Sequence, residues 1–372
     1  MADQKIIWAD AGYAGLDEYF VRMGAKRILL VCDSSIGFLK INAYFEALPE
    51  RLGIAVVRFS EFQPNPLYES AVAGVELLRR EKCDCIVAVG GGSGMDVAKC
   101  IKLYSNMDPA ENYLRQPIVP NDLPLLAAPT TAGTGSEATR YAVVYFKGEK
   151  QSVTDASCIP STVLFDPSAL ETLPLYQKKS AMLDALCHAV EAWWSVNSTE
   201  ESKGYSRQAI RLILDNMDGY LAGDNARNAE MLKAAHFGGK AINITQTTAG
   251  HAMCYKLTSL YGAAHGHAAA LCVRRLWPYM LEHPERCIDP RGEAYLRGVF
   301  GELASAMDCA GPARAADRFN AIFESLALPV PALRNEAELE LLAGSVNPVR
   351  LKNHPVALDE AAIRGLYRQI LN

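Results

Sequence analysis

The first 168 residues alternate two rhythms. RILLVCD (27–33), IAVVRFS (54–60), DCIVAVGGGS (84–93) and PLLAAPTTAGTGSEAT (124–139) open as short apolar runs and end in polar or glycine residues. Between them lie stretches such as PNPLYESAVAGVELLRREK (64–82), where apolar residues recur at helical spacing. The runs predict buried strands, and strands alternating with helices predict parallel βαβ units. In such a fold the functional loops lie at the C-terminal ends of the strands. From about residue 169 the period is helical almost throughout. LPLYQKKSAMLDALCHAVEAWWSV, YSRQAIRLILDNMDGYL, RNAEMLKAAHFGGKAINIT and GEAYLRGVFGELASAM all have the length and spacing of helices. The pattern predicts an α/β domain with a mostly parallel sheet over 1–168, joined near Asp166-Pro167 to an all-α domain over 169–372. No internal repeat or low-complexity segment occurs.

Composition narrows the classes of function. The 372 residues are 50% hydrophobic and 21% charged, an ordinary globular balance with room for two cores. The net charge is −5 and no basic tract tracks a phosphate backbone, which excludes nucleic acid as a partner. No apolar run reaches the roughly 18 residues of a membrane span. The opening MADQKIIWADAGYAG is acidic early and lacks the apolar core of an export signal, so the expected compartment is the cytoplasm. Ten cysteines are scattered without any CxxC pair, which predicts reduced, mostly buried thiols.

Two loops offer phosphate chemistry. GGGSGMDVAK (90–99) follows a strand and opens a helix, where close backbone approach and free amides favour an anion. It is neither the GxGxxG fingerprint nor a Walker A loop, and alone it reads equally as a tight turn. PTTAGTGSEAT (129–139) adds Thr130, Thr131, Thr134 and Ser136 hydroxyls at a second strand end. Two such loops at one sheet edge suit a dinucleotide. Asp33 ends the first strand, where a carboxylate bonds a ribose diol and repels a 2′-phosphate, favouring NAD over NADP. The same residue also suits a helix N-cap.

The third feature is a set of histidines. In DALCHAVEAWW (184–194), Asp184 and His188 stand at i, i+4, with Cβ atoms roughly 6 Å apart on one helix face. That pair grips one cation or makes an ordinary hydrogen bond. Three of the chain's seven histidines, His251, His265 and His267, fall in GHAMCYKLTSLYGAAHGH. On an unbroken helix His251 and His265 would lie roughly 21 Å apart. Gly262 interrupts the segment, and a chain that folds back there brings the two imidazoles together. Asp184, His188, His251 and His265 then form one carboxylate and three imidazoles, a set suited to Fe(II) or Zn(II) and poorly to Mg or Ca.

These motifs, in this order and spacing from about residue 25 onward, resemble the iron-containing, or group III, alcohol dehydrogenases. The resemblance implies a dinucleotide-binding domain followed by a helical domain, with a metal held in the cleft by Asp184, His188, His251 and His265. It implies that Gly91, Gly92 and Ser93 bind the pyrophosphate, that Thr130, Thr131 and Ser136 face the cofactor, and that Lys150 reaches a cofactor ribose. Asp33 stands where NAD-preferring members carry aspartate. The family's second histidine, four after the first, is here Tyr255, and Lys256 replaces a small residue. His267 is an addition, and NPVRLKNHPV (347–356) departs from the usual C-terminal segment. These variants are similar to the branch that reduces sulfoacetaldehyde or phosphonoacetaldehyde. A permanent anion calls for cations, and Arg140, Lys256, His267 and Arg350 are the candidates. Tyr255 and His267 are candidates to relay a proton, and the family implies a homodimer. The expected reaction is NADH-dependent, metal-assisted reduction of a small anionic aldehyde. The alternatives are a general short-chain alcohol dehydrogenase and, further off, a lyase like dehydroquinate synthase.

Overall fold

The computed structural model describes residues 4–371. The chain divides into two compact units, 1–173 with 223–232, and 174–222 with 233–372. In the first, strands β1 (Lys5–Trp8), β2 (Arg27–Cys32), β3 (Ala55–Phe59), β4 (Cys85–Gly90), β5 (Leu125–Pro129) and β8 (Thr162–Phe165) form a parallel sheet in the order β1-β8-β5-β4-β2-β3. Helices α1 (Ala14–Met23), α2 (Lys40–Leu52), α3 (Tyr68–Glu81) and α4 (Gly92–Tyr104) connect its early strands. Apolar residues alternate between faces: Leu29, Val31, Ile86 and Ala88 feed one core cluster, and Ile28, Leu30, Val87 and Val89 the other. A sheet covered on both faces explains why these strands read as continuous apolar runs rather than alternating ones. Strand order reverses where β2 meets β4, so Asp33, after β2, and the glycine loop, after β4, flank the crevice such sheets use for ligands.

The hairpin of β6 (Tyr141–Phe146) and β7 (Glu149–Thr154) stands apart from the parallel sheet. Its two-residue turn places Lys147 and Gly148 at φ 53° and 80°, the left-handed pair of a type I′ turn. Buried Lys99 on α4 anchors the polypeptide leading into it. Its ammonium donates to the Ser136 carbonyl (2.5 Å) and Oγ (3.0 Å), the Thr139 carbonyl (2.8 Å) and Oγ1 (3.1 Å), and the Tyr141 carbonyl (2.8 Å). These bonds replace the hydration a buried cation loses and tie the glycine helix to the Gly/Thr loop.

The second unit is helical: α5 (Leu175–Trp194), α6 (Glu200–Leu221), most of α7 (Asn228–Thr245), α8 (Ala249–Tyr261), α9 (His265–Glu282), α10 (Glu293–Ala306), α11 (Pro312–Ser325), α12 (Glu336–Gly344), the short α13 (Pro348–Leu351) and α14 (Glu360–Leu371). Helix α5 buries 15 of its 20 residues, so it is a core helix and not an amphipathic surface one. Eight of the ten cysteines are buried and all are free. No helix among the described residues is long and apolar enough to cross a membrane.

Candidate active site

Helix α5 supplies the first two candidate ligands. Asp184 and His188, one turn apart and both buried, bring His188 Nε2 to 3.9 Å from Asp184 Oδ1. The first turn of helix α8 meets α5 and places His251 Nε2 3.3 Å from the same oxygen, with its ring stacked on His188 at 4.6 Å and 17°. One ligand atom from each of Asp184, His188 and His251 lies within 4.8 Å of the others. Gly262, at φ 70°, ends α8 in the left-handed conformation, and α9 starts three residues later at His265. That reversal sets the His265 ring 5.3 Å from His251, where a straight helix would have kept them apart. Gly266 permits the approach. A β-carbon there would lie 2.1 Å from the Ser180 carbonyl oxygen and 2.5 Å from Asp184 Cβ, so α9 meets α5 backbone to backbone.

The donor set fits a divalent transition metal: one carboxylate and imidazoles, dehydrated and converging. Burial alone would raise the Asp184 carboxyl, but the imidazoles of His188, His251 and His265 overcome it and hold the group well below the usual carboxylate range. Burial lowers His251, yet the carboxylates of Glu191 and Asp184 outweigh it and hold the ring up at about 9. A metal entering the cage therefore displaces a proton.

His267 stands two residues beyond His265, about 200° round the helix, and so points away. Its Nδ1 lies 3.2 Å from the Tyr176 hydroxyl and its ring 5.9 Å from Phe323. Tyr255, four after His251, shares the ligand face and stacks on His265 at 5.5 Å and 23°. Arg350 Nη1 donates to the Tyr255 hydroxyl at 3.0 Å, and its guanidinium carbon lies 5.1 Å from the ring centre. Half-buried Lys256 lies about 140° round α8 from His251, and its ammonium bonds no described residue. Arg140 belongs to the first unit, its Nε 3.2 Å from the Tyr141 hydroxyl.

In the first unit the two loops pack on one another, with Gly92 against Thr134 and Gly91 against Thr131. The first bond of α4 runs from Met95 N to Gly91 O, so the amides of Gly92, Ser93 and Gly94 precede the helical ladder. Thr130 is buried, while Ser93, Thr131 and Lys150 are half-buried. The Ser136 hydroxyl is engaged inside the fold, accepting from Lys99 and donating to Asp96 Oδ1 at 3.1 Å. Burial pushes Asp96 up to about 6 against the pull of Lys99. Asp33 Oδ1 accepts the Ser35 amide at 2.8 Å as an N-cap, which leaves Oδ2 without a described donor.

Residues 4–167 match the iron-containing alcohol dehydrogenase family, and residues 179–338 match the C-terminal domain of the Fe-containing alcohol dehydrogenase family. The chain belongs to the iron-containing alcohol dehydrogenases. It is an oxidoreductase of that alcohol dehydrogenase and aldehyde reductase family. It is 34% identical over 313 residues to a phosphonoacetaldehyde reductase of Streptomyces viridochromogenes, covering 80% of this chain and 79% of that one. It is equally 34% identical, over 297 residues, to a 1,3-propanediol dehydrogenase of Citrobacter freundii, covering 77% and 76%. The fold matches that of sulfoacetaldehyde reductase from Bifidobacterium kashiwanohense in complex with NAD+, with a TM-score of 0.87, 22% identity and coverage of 99% and 97%.

Three polar groups of this family member did not stand out in the sequence. Lys99 closes the glycine motif but meets its partners only in space. Glu191, on the Asp184–His188 face of α5, accepts from His251 Nδ1. His354 is fully buried, and neither ring nitrogen bonds a described residue. Burial pushes His354 down from 6.5 to about 4, with the Glu191 carboxylate opposing. The folded state therefore holds the ring neutral, and its stability falls as pH drops from 6.5 through 4, by about 3 kcal/mol from this group. Calorimetry of metal-free protein across that window should show a smaller pH-dependent loss for His354→Leu. A parallel loss in the variant would remove His354 as the cause.

Proposed function

We propose that the chain reduces a short aldehyde bearing a permanent anion, sulfoacetaldehyde or phosphonoacetaldehyde, with NADH as hydride donor and a divalent metal, Fe(II) or Zn(II), in the Asp184–His188–His251–His265 cage. The observation that carries the reading is Arg350, whose guanidinium is bonded to Tyr255, itself stacked on the candidate ligand His265. A pocket for a plain alkanal has no use for a cation there, whereas a sulfonate or phosphonate does. The similarity to phosphonoacetaldehyde reductase supports it.

When bound, the metal supplies Lewis acidity to a carbonyl oxygen and the nicotinamide supplies a hydride. The residues do the rest. Gly91, Gly92 and Ser93 present amides to the pyrophosphate, while Thr130, Thr131 and Lys150 line the cofactor's path. Asp33 Oδ2 accepts from the ribose diol, which favours NADH over NADPH. Arg350 holds the substrate anion, while Lys256, about 140° round α8 from His251, contributes no contact at the cage. In this proposal the Tyr255 hydroxyl, oriented by Arg350, passes a solvent proton to the product oxygen. The same reading makes the chain a cytoplasmic homodimer, which light scattering on the purified protein tests.

The deciding experiment compares kcat/KM for sulfoacetaldehyde, phosphonoacetaldehyde and propanal, in the parent and in Arg350→Met. One lost charge-assisted contact is worth about 2 kcal/mol, so the preference for the anionic aldehyde over propanal should fall roughly 30-fold. A parent that prefers propanal, or a preference untouched by Arg350→Met, supports instead the short-chain alcohol reading that the 1,3-propanediol dehydrogenase similarity favours.

A further inference from the structure

We propose that Glu191 is a positioning residue that fixes His251 as an Nε2 metal ligand while its other oxygen caps the helix that carries His251. It rests on reading the Asp184 cluster as a metal cage.

Glu191 follows His188 by three residues and Asp184 by seven, so it continues their stripe on α5. It is fully buried. Its Oε1 accepts from Thr248 N (3.1 Å), Thr248 Oγ1 (2.5 Å), Gly250 N (2.9 Å) and His251 N (3.4 Å). These are groups of the first turn of α8, whose own N-cap, Thr248, makes no side-chain cap bond. The Thr248 hydroxyl also accepts from Trp194 Nε1 at 3.0 Å. A carboxylate from α5 thus does what a capping side chain ordinarily does, at the end of the helix dipole that favours negative charge. Gly250 makes the reach possible, since a β-carbon there would lie 2.9 Å from Glu191 Oε1 and 2.6 Å from Val273 Cγ2.

The second oxygen, Oε2, meets His251 Nδ1. Oε1 alone takes three amide hydrogens and the Thr248 hydroxyl, a donor field that stabilises the ionised carboxylate, which can only accept at Oε2. Nδ1 therefore carries the hydrogen. In the neutral ring the lone pair then belongs to Nε2, the nitrogen that faces Asp184 Oδ1. A carboxylate behind a ligating histidine sets both tautomer and ring orientation, and losing it costs roughly 10- to 100-fold in metal affinity.

A purely structural cap and a ligand-positioning group differ in one substitution. In Glu191→Gln the amide oxygen still accepts from the α8 amides, but the amide nitrogen opposite Nδ1 is a donor. His251 then either keeps its Nδ1 hydrogen against another donor or moves it to Nε2, which removes the ligand atom. The expected result is a metal-free variant with a circular dichroism spectrum and NADH affinity close to the parent's. Its zinc affinity, from competition with a chelator, should fall roughly 10- to 100-fold, and its cobalt-substituted visible spectrum should shift. Zinc affinity within twofold of the parent overturns the proposal. Thr248→Val removes a capping bond and leaves the Nδ1 contact, so it should lower the melting temperature without lowering zinc affinity. An equal loss of zinc in that variant means the capping alone matters, and also overturns it.

Should Glu191→Gln not fold, the parent decides the matter. Histidine-selective nitrogen NMR of the zinc-loaded protein should show His251 metallated at Nε2 and protonated at Nδ1, and the reverse assignment overturns the proposal. His251→Ala serves as the control: if it retains zinc, the cage reading fails and takes this inference with it. If it loses zinc while Glu191→Gln does not, the cage stands and only the role of Glu191 falls.

Discussion

His251→Ala loses the metal and turnover together. The imidazole is the third point of the proposed cage: Nε2 lies 3.3 Å from Asp184 Oδ1, and the ring covers His188. Alanine leaves Asp184 and His188 to hold the ion with His265, and strips Glu191 of the donor on its second oxygen, leaving a buried carboxylate poorly paired. A metal acting on a carbonyl contributes several kcal/mol to the transition state, so NADH-coupled aldehyde reduction should fall at least roughly a thousandfold. Metal analysis by mass spectrometry should show the variant empty after dialysis. NADH binding, which the proposed function assigns to the glycine loops, should remain. Full activity in a metal-free His251→Ala preparation would sink the assignment of the cage.

The second large effect needs no ligand to be touched. In Gly266→Ala the new methyl would lie 2.1 Å from the Ser180 carbonyl oxygen and within 2.8 Å of Asp184 N, both on α5 backbone. Nothing flexible is available to give way, so α9 must back off and carry His265 with it. Overpacking of this kind costs up to about 3 kcal/mol or more, and the metal affinity should fall with the melting temperature. Gly298→Ala on α10 is the matched control: its β-carbon meets nothing within 4 Å. That variant should gain about 0.5–1 kcal/mol from helix propensity. Melting curves with and without zinc separate the two outcomes. A Gly266→Ala protein as stable and as well metallated as the parent would show that the helices tolerate a wider spacing than the structure gives them.

Much of this arrangement is visible in the sequence, and what is hidden has identifiable reasons. Strands β2 to β5 announce themselves because a sheet covered on both faces demands unbroken apolar runs. Strands β1 and β8 are only four residues each, too short for a run to stand out. The β6–β7 hairpin carries Glu149, Lys150 and Gln151 in its second strand, so its apolar signal is thin. Asp184 and His188 are legible because helical spacing alone pairs them, and Gly262 is legible because glycine is what a helix reversal uses. His265 and His267 look alike as letters, yet two residues of helix turn them to opposite sides. Glu191 and Lys99 lie beyond such reasoning. The carboxylate meets a helix start that is 57 to 60 residues away, and the ammonium meets a loop 37 to 42 residues away. Local periodicity says which face a side chain occupies, never what arrives opposite it.

The near-complete burial of α5 has a consequence for how such an enzyme diversifies over generations. The helix that bears Asp184, His188 and Glu191 offers almost no position where a substitution goes unfelt by its neighbours. Tyr255, Lys256 and Arg350, by contrast, are all only half-buried, where a change of size or charge meets little resistance. If the proposed function holds, inheritance is thereby split: the candidate ligands are locked by their surroundings, while Tyr255 and Arg350, proposed to face the substrate's far end, remain open to trial. On that proposal, a lineage on this scaffold exchanges one aldehyde for another by substitutions outside the candidate cage.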